Sequence, residues 1–201
     1  MMKKSKRSDV DPFIVMDVME SARIAEEKGK DIIHMEVGQP GTPAPKIAKD
    51  YITNEINKNN LGYTVSLGLP ALRSKISKLY GDWYNLDLNP NRIVVTTGSS
   101  GAFILSFSAL FDSGDRVGIG SPSYPSYRQI LKSLSLETVD IQTKLQNRFQ
   151  PVPEDITNNN LNGILVASPA NPTGSMLDKQ SLENLINTAN ENNVSFISDE
   201  I

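Results

Sequence analysis

The chain contains no cysteine, and that absence removes disulfides, thiolate metal sites and cysteine nucleophiles together. It has one histidine, His34, so a histidine-rich metal site is excluded and metal-assisted hydrolysis is a weak option. His34 lies in the apolar run Ile32, Ile33, Met35, Val37, where a packed histidine is commoner than a catalytic base. No apolar run approaches the ~20 residues that a membrane helix needs. The basic cluster Lys3, Lys4, Lys6, Arg7 lacks the apolar segment of a secretory signal and reads as a solvated end. A net charge of -3 gives no electrostatic reason to bind nucleic acid or an acidic membrane. The expectation is therefore a cytoplasmic protein with neither partner. What is present is ordinary globular composition, 38% hydrophobic and 21% charged over 201 residues, enough for one substantial core.

There is no internal repeat, and the only biased stretch is the small run Asn158, Asn159, Asn160. A helix is expected from Asp11-Pro12 to about Lys28, with Gly29 as its stop. The Gly/Pro-rich stretch from Gly38 to Pro45 is expected to be irregular, followed by helices from Pro45 to about Lys58 and from Pro70 to about Tyr84. Beyond Arg92 the pattern becomes regular. Ile93-Val94-Val95 reads as a short buried strand, Gly98 to Asp112 as a helix, and Arg116 to Gly120 as a second strand. A helix from Pro125 to Ser135 and strands at Leu136 to Ile141 and Leu161 to Ala167 follow. A helix from Asp178 to Asn193 and a strand from Val194 to Ser198 complete the pattern. Apolar strands alternating with helices imply an α/β fold: a mostly parallel sheet with helices on both faces, preceded by an N-terminal helical arm.

Ligands in such sheets sit at the carboxyl ends of the strands. Four polar or aromatic segments occupy those ends: Thr96 to Ala102, Ser121-Pro122-Ser123-Tyr124, Ser168 to Gly174, and Asp199-Glu200-Ile201. The first is glycine-rich, hydroxylated and opens a helix, where unpaired N–H groups and the helix dipole bind phosphate without a lysine. A serine N-cap beside a tight turn explains the same residues about equally well. Neither the Walker pattern nor Gly-x-Gly-x-x-Gly is present, which disfavours nucleotide triphosphates and dinucleotides. Tyr124 could stack on a flat ligand, although a core tyrosine is the simpler reading of that residue alone. Asn171, inside Asn-Pro-Thr-Gly, could equally bond its own turn. Asp199 follows the apolar run Phe196-Ile197, and a desolvated carboxylate there calls for a cationic or protonated partner. A phosphate cradle, a stacking ring, an amide and a carboxylate suit one aromatic phosphate ester with a ring nitrogen. Pyridoxal 5'-phosphate has those parts, and a carboxylate at its nitrogen keeps the ring an electron sink.

These residues resemble the class I/II aminotransferases, the pyridoxal-phosphate enzymes of fold type I. The resemblance runs from about Pro12 to Ile201. It rests on six motifs in family order: Gly38-Gln39-Pro40; Tyr63 with Gly68 and Leu72-Arg73; Thr97 to Ala102; Pro122-Ser123-Tyr124; Asn171 to Gly174; and Ser198 to Ile201. It implies that Gly98, Ser99 and Ser100 hold the cofactor phosphate and that Tyr124 stacks on the pyridine ring. It also implies that Asn171 bonds the phenolic oxygen and Asp199 the ring nitrogen. Gly38 would lie beside the substrate carboxylate, and Tyr63 would reach the cofactor phosphate of a second subunit, which implies a homodimer. Residues 1–47 would supply the arm and part of a small domain, and 48–201 an incomplete large cofactor-binding domain.

The family's Schiff-base lysine has no counterpart here. Lys75, Lys132, Lys144 and Lys179 fall in helix or loop contexts, and none follows a strand in a serine-rich setting. No residue is therefore assigned as the catalytic base, and the 201-residue chain is expected to be an inactive, truncated portion of a parent enzyme. The activity implied for that parent is amino-group transfer between an amino acid and a 2-oxo acid. The alternatives are a β-eliminating C–S lyase of the same fold and a non-catalytic fragment that binds pyridoxal phosphate.

Overall fold

A computed structural model describes residues 3–58 and 61–200. The chain divides into two compact units, one of residues 15–97 and one of residues 1–14 with 98–201.

The unit of residues 15–97 carries α1 (Ile14–Glu27) from its second residue onward, α2 (Lys46–Ile56) and α3 (Pro70–Tyr84). The bounds of α3 follow from its ends. Pro70 occupies the first turn, where its missing N–H costs nothing, and Asn85 closes the helix in the left-handed region at φ 54°. Arg73 is the one buried residue of α3. Its Nε donates to the Gly68 carbonyl at 3.2 Å and its Nη1 to the Pro90 carbonyl at 2.9 Å, which ties the helix to the loops on either side. Gly68 has a φ of +97°, and a Cβ there would lie 2.6 Å from Val95 Cγ2, so only glycine fits.

Two expectations fail in this unit. Ile93 to Val95 does not form a buried strand: no ladder flanks it, and the Val95 N–H bonds the loop carbonyl of Leu67 at 3.0 Å. Val94 and Val95 remain 50% and 39% exposed, because β-branched residues make a strand only where a neighbour accepts the ladder. His34 is not packed either. Its Nε2 meets Glu26 at 2.8 Å and its Nδ1 meets Glu36 at 2.7 Å on an exposed surface. Hydrogen bonds first to Glu36 and then to Glu26 raise its pKa to about 9.

The second unit is built on four strands, β1 (Arg116–Ser121), β2 (Glu137–Gln142), β3 (Gly163–Ala167) and β4 (Ser195–Asp199). All pair in parallel, in the order β2-β1-β3-β4. Four helices cover the sheet: α4 (Gly98–Leu110), α5 (Pro125–Ser133), α6 (Pro153–Asn158) and α7 (Lys179–Glu191). The period-2 alternation of the strands sorts these helices between two faces. Val117, Ile119 and Leu165 join Phe103 and Phe107 of α4 and Tyr127 and Leu131 of α5. Ile164 and Val166 join Ile156 of α6 and Leu185 and Ala189 of α7. The expected layered, parallel α/β fold is the one observed. The short helix α6 has no counterpart in the sequence pattern, because six residues beginning at Pro153 carry too little periodicity.

Candidate functional site

The order β2-β1-β3-β4 places a topological switch point between β1 and β3. The chain leaves β1 toward β2 on one side and reaches β3 on the other, so the loops after β1 and β3 diverge and open a crevice at their carboxyl ends. Gly120, Pro122 and Ser123 line a small cleft there from the β1 side, and Ala167, Ala170 and Asn171 from the β3 side. The Ala167–Asp199 pairing brings the end of β4 beside them.

The amino end of α4 lies at this same end of the sheet, by a simple length argument. Thirteen helical residues and six strand residues each span about 20 Å, and the short turn between them folds α4 back along β1. Ring contacts agree. Phe111, just past the carboxyl end of α4, crowds Gly163 at the start of β3, whereas Phe103 meets Tyr127 edge-to-face at 5.2 Å. Gly98 starts the helix at φ +77°, a left-handed conformation that favours glycine although a Cβ would touch nothing. Ser99 and Ser100 are exposed, with no partner for either hydroxyl among the described residues.

Tyr124 is half-buried at the N-cap of α5. Phe13 packs edge-on against it at 5.9 Å and Tyr127 at 5.4 Å, which fixes the plane of its ring. The segment before α1 is held there by Gln129, whose amide donates to the Asp11 carbonyl at 3.2 Å. Asn171 is exposed in the turn after β3, and its side-chain amide has no hydrogen-bond partner among the described residues. An amide that bonded its own turn would not be available to a ligand; this one is. Asp199 ends β4 half-buried, and its Oδ2 accepts a hydrogen bond from the Tyr127 hydroxyl. Ile201, the last residue of that motif, lies outside the described residues.

Two residues that sequence reasoning missed support the crevice. Tyr127 is 1% exposed, and burial, then the hydrogen bond to Asp199, pushes its ionisation far above the usual tyrosine range. Gln150, 3% exposed, donates from Nε2 to the carbonyls of Ala167 and Ser175, each at 3.1 Å, and so fastens both ends of the loop bearing Asn171. Neither has a local signal, since Tyr127 and Asp199 stand 72 positions apart.

Gly38 and Tyr63 belong to the unit of residues 15–97. Gly38 is exposed, and a Cβ on it would meet nothing within 4 Å. Tyr63 projects entirely into solvent from the loop before α3. Lys132 pairs with Asp11 at 3.8 Å and Lys179 with Glu183 at 3.7 Å, both as exposed contacts on helices. Among the described residues no cluster suits a metal ion, and no helix is long and apolar enough to cross a membrane.

A profile of the family "Aminotransferase class I and II" matches residues 30–201. The chain is 40% identical over 197 residues to a valine–pyruvate aminotransferase of Mycobacterium tuberculosis, covering 97% of this chain and 51% of that protein. It is 34% identical over 189 residues to a (5-formylfuran-3-yl)methyl phosphate transaminase of Methanocaldococcus jannaschii, covering 94% and 49%. A crystal structure from Silicibacter pomeroyi, assigned to the aminotransferases, superimposes with a TM-score of 0.89 at 58% identity, over 100% of this chain and 51% of that one. The chain thus spans about half the length of the curated relatives it matches.

Proposed function

The chain belongs to the class I and II aminotransferase family, and we propose that it forms the cofactor-gripping portion of an enzyme that moves an amino group between an amino acid and a 2-oxo acid. The observation that carries this reading is the convergence at one sheet end of a helix amino terminus, a fixed aromatic ring, a free amide and a hydrogen-bonded carboxylate.

That donor set fits pyridoxal 5'-phosphate. The first N–H groups of α4, with the Ser99 and Ser100 hydroxyls, offer donors and a positive dipole end to a phosphate, and the left-handed Gly98 turns the backbone into position. Tyr124 offers a ring whose plane is set by its two aromatic neighbours. The Asn171 amide would donate to a phenolic oxygen, and the Asp199 carboxylate would accept a ring N–H and hold its proton in place. When bound, the cofactor supplies an electron-withdrawing ring that stabilises negative charge on the carbon losing its proton. Gly38, lacking a side chain, leaves room for a substrate carboxylate, and the solvent-projecting Tyr63 suits a role toward a second subunit of a homodimer. In the assembled enzyme residues 1–47 would serve as arm and part of the small domain, and 48–201 as part of the large domain. No lysine of this chain is assigned the proton-carrying role.

The substrate side chain stays unassigned, since relatives of similar identity act on molecules as different as valine and a furan phosphate. Replacing Asp199 tests the reading. In the intact protein, Asp199→Ala should abolish amino-group transfer and weaken pyridoxal-phosphate binding at least tenfold, measured by equilibrium dialysis. Near-normal transfer by the variant would remove Asp199 from the site.

A further inference from the structure

Tyr127 belongs to none of the motifs that mark the chain, yet it touches three of the four parts of the crevice. Its ring packs edge-to-face on Phe103, one turn into the helix whose amino end bears Gly98, Ser99 and Ser100. The same ring meets Tyr124 edge-on at 5.4 Å with an interplanar angle of 79°. Its hydroxyl crosses to β4 and donates to Oδ2 of Asp199. The side chain is 1% exposed, so the contact is between a buried donor and a half-buried carboxylate.

We propose that Tyr127 is a positioning residue for the ring-nitrogen site: its buried phenol takes up Oδ2 of Asp199 and fixes the carboxylate so that Oδ1 faces the crevice. The inference rests on the reading of Asp199 given above. A tyrosine suits the task for two physical reasons. Its O–H is a donor that stays protonated throughout the working range, because burial and the adjacent carboxylate both oppose ionisation. Its ring is rigid and held on two sides, so the hydroxyl is delivered at little entropic cost when Asp199 must be held. A phenylalanine would fill the same volume and keep both ring contacts, but would leave the carboxylate free to rotate. The oxygen-to-hydrogen change therefore isolates the hydrogen bond from the packing.

The test uses the intact protein as wild type, Tyr127→Phe, Asp199→Ala and the double variant, with pyridoxal phosphate as the probe. Tyr127→Phe should keep the thermal midpoint near wild type yet bind pyridoxal phosphate about tenfold more weakly. In the Asp199→Ala background the same change should have no further effect, since a residue acting through another loses its influence when that other is gone. Equal effects of Tyr127→Phe in the two backgrounds would overturn the proposal. An Asp199→Ala variant that binds as tightly as wild type would instead overturn the reading of the site on which the proposal rests. A cofactor-free measurement checks the contact itself. In an ultraviolet titration of phenolate absorbance, the last tyrosine to ionise should vanish in Tyr127→Phe and move to lower pH in Asp199→Ala, which removes the acceptor. If it stays put in Asp199→Ala, the phenol does not donate to Asp199 and the proposal falls.

Discussion

At Gly163 the tip of the Phe111 ring crowds the backbone of β3, and a Cβ would sit 2.2 Å from Cζ. Nothing in the local sequence announces this requirement, because the ring arrives from the end of α4. Gly120, on the neighbouring strand, is different: a Cβ there would meet Thr143 Cγ2 at 3.5 Å, an ordinary contact. Overpacking a formed core costs about 1–3 kcal/mol. Gly163→Ala is therefore expected to lower the urea midpoint by an amount equivalent to about 2 kcal/mol, whereas Gly120→Ala should leave it within about 0.5 kcal/mol of wild type. Equal midpoints for the two variants would show that Phe111 moves aside freely. The same distinction separates residues that chemistry needs from residues that backbone geometry needs. Gly68 and Arg73 stand in a family motif without an evident role in the sequence. Their positions explain them: one admits the chain past Val95, and the other fastens two loop carbonyls.

Elements were legible in the sequence where their signals are local. The limits of α3 are marked by Pro70 at its start and Tyr84 near its end, β3 by its near-continuous apolar run, and β1 by the alternation of Val117 and Ile119 with glycines after the Asp112 to Asp115 turn. What escaped depends on partners distant along the chain. Ile93 to Val95 has the composition of a strand but no neighbour to complete it, and Tyr127 found its role only through β4. His34 escaped for the same reason, since Glu26 lies eight positions back on α1. Its two carboxylates make the junction after α1 sensitive to pH, with a definite sign. The folded-state pKa is raised to about 9 from an ordinary value near 6.5. The stabilisation from this pairing is therefore complete below about pH 6.5 and is lost as pH rises through about 9. A titration of the imidazole followed by NMR should show a midpoint near 9, and Glu36→Gln should draw it back toward the ordinary value. A wild-type midpoint near 6.5 would mean that the pairing does not form.

On the scale of the whole molecule, buried apolar surface is distributed unevenly between the two compact units. Every buried hydrophobic side chain among the described residues lies between Phe103 and Val194, in the unit that holds the sheet. In the other unit α1 and α2 contain no buried residue, and α3 contains only Arg73. α2 leaves Ile47 at 81% and Tyr51 at 65% exposure. Hydrophobic burial dominates the free energy that keeps amides closed, so local stability should follow this division. Hydrogen exchange on the 201-residue chain should find its slowest amides in β1 and β3, whose central residues are fully covered on both faces. Exchange in α1 and α2 should be faster by at least two orders of magnitude, since opening them exposes almost no further apolar area. Protection in α2 equal to that in β3 would mean that its apolar side chains are covered in solution. In that case the two units would open as one cooperative body. A gradient from sheet to helices would instead locate the folding core in the unit that holds Asp199, Tyr124 and the start of α4.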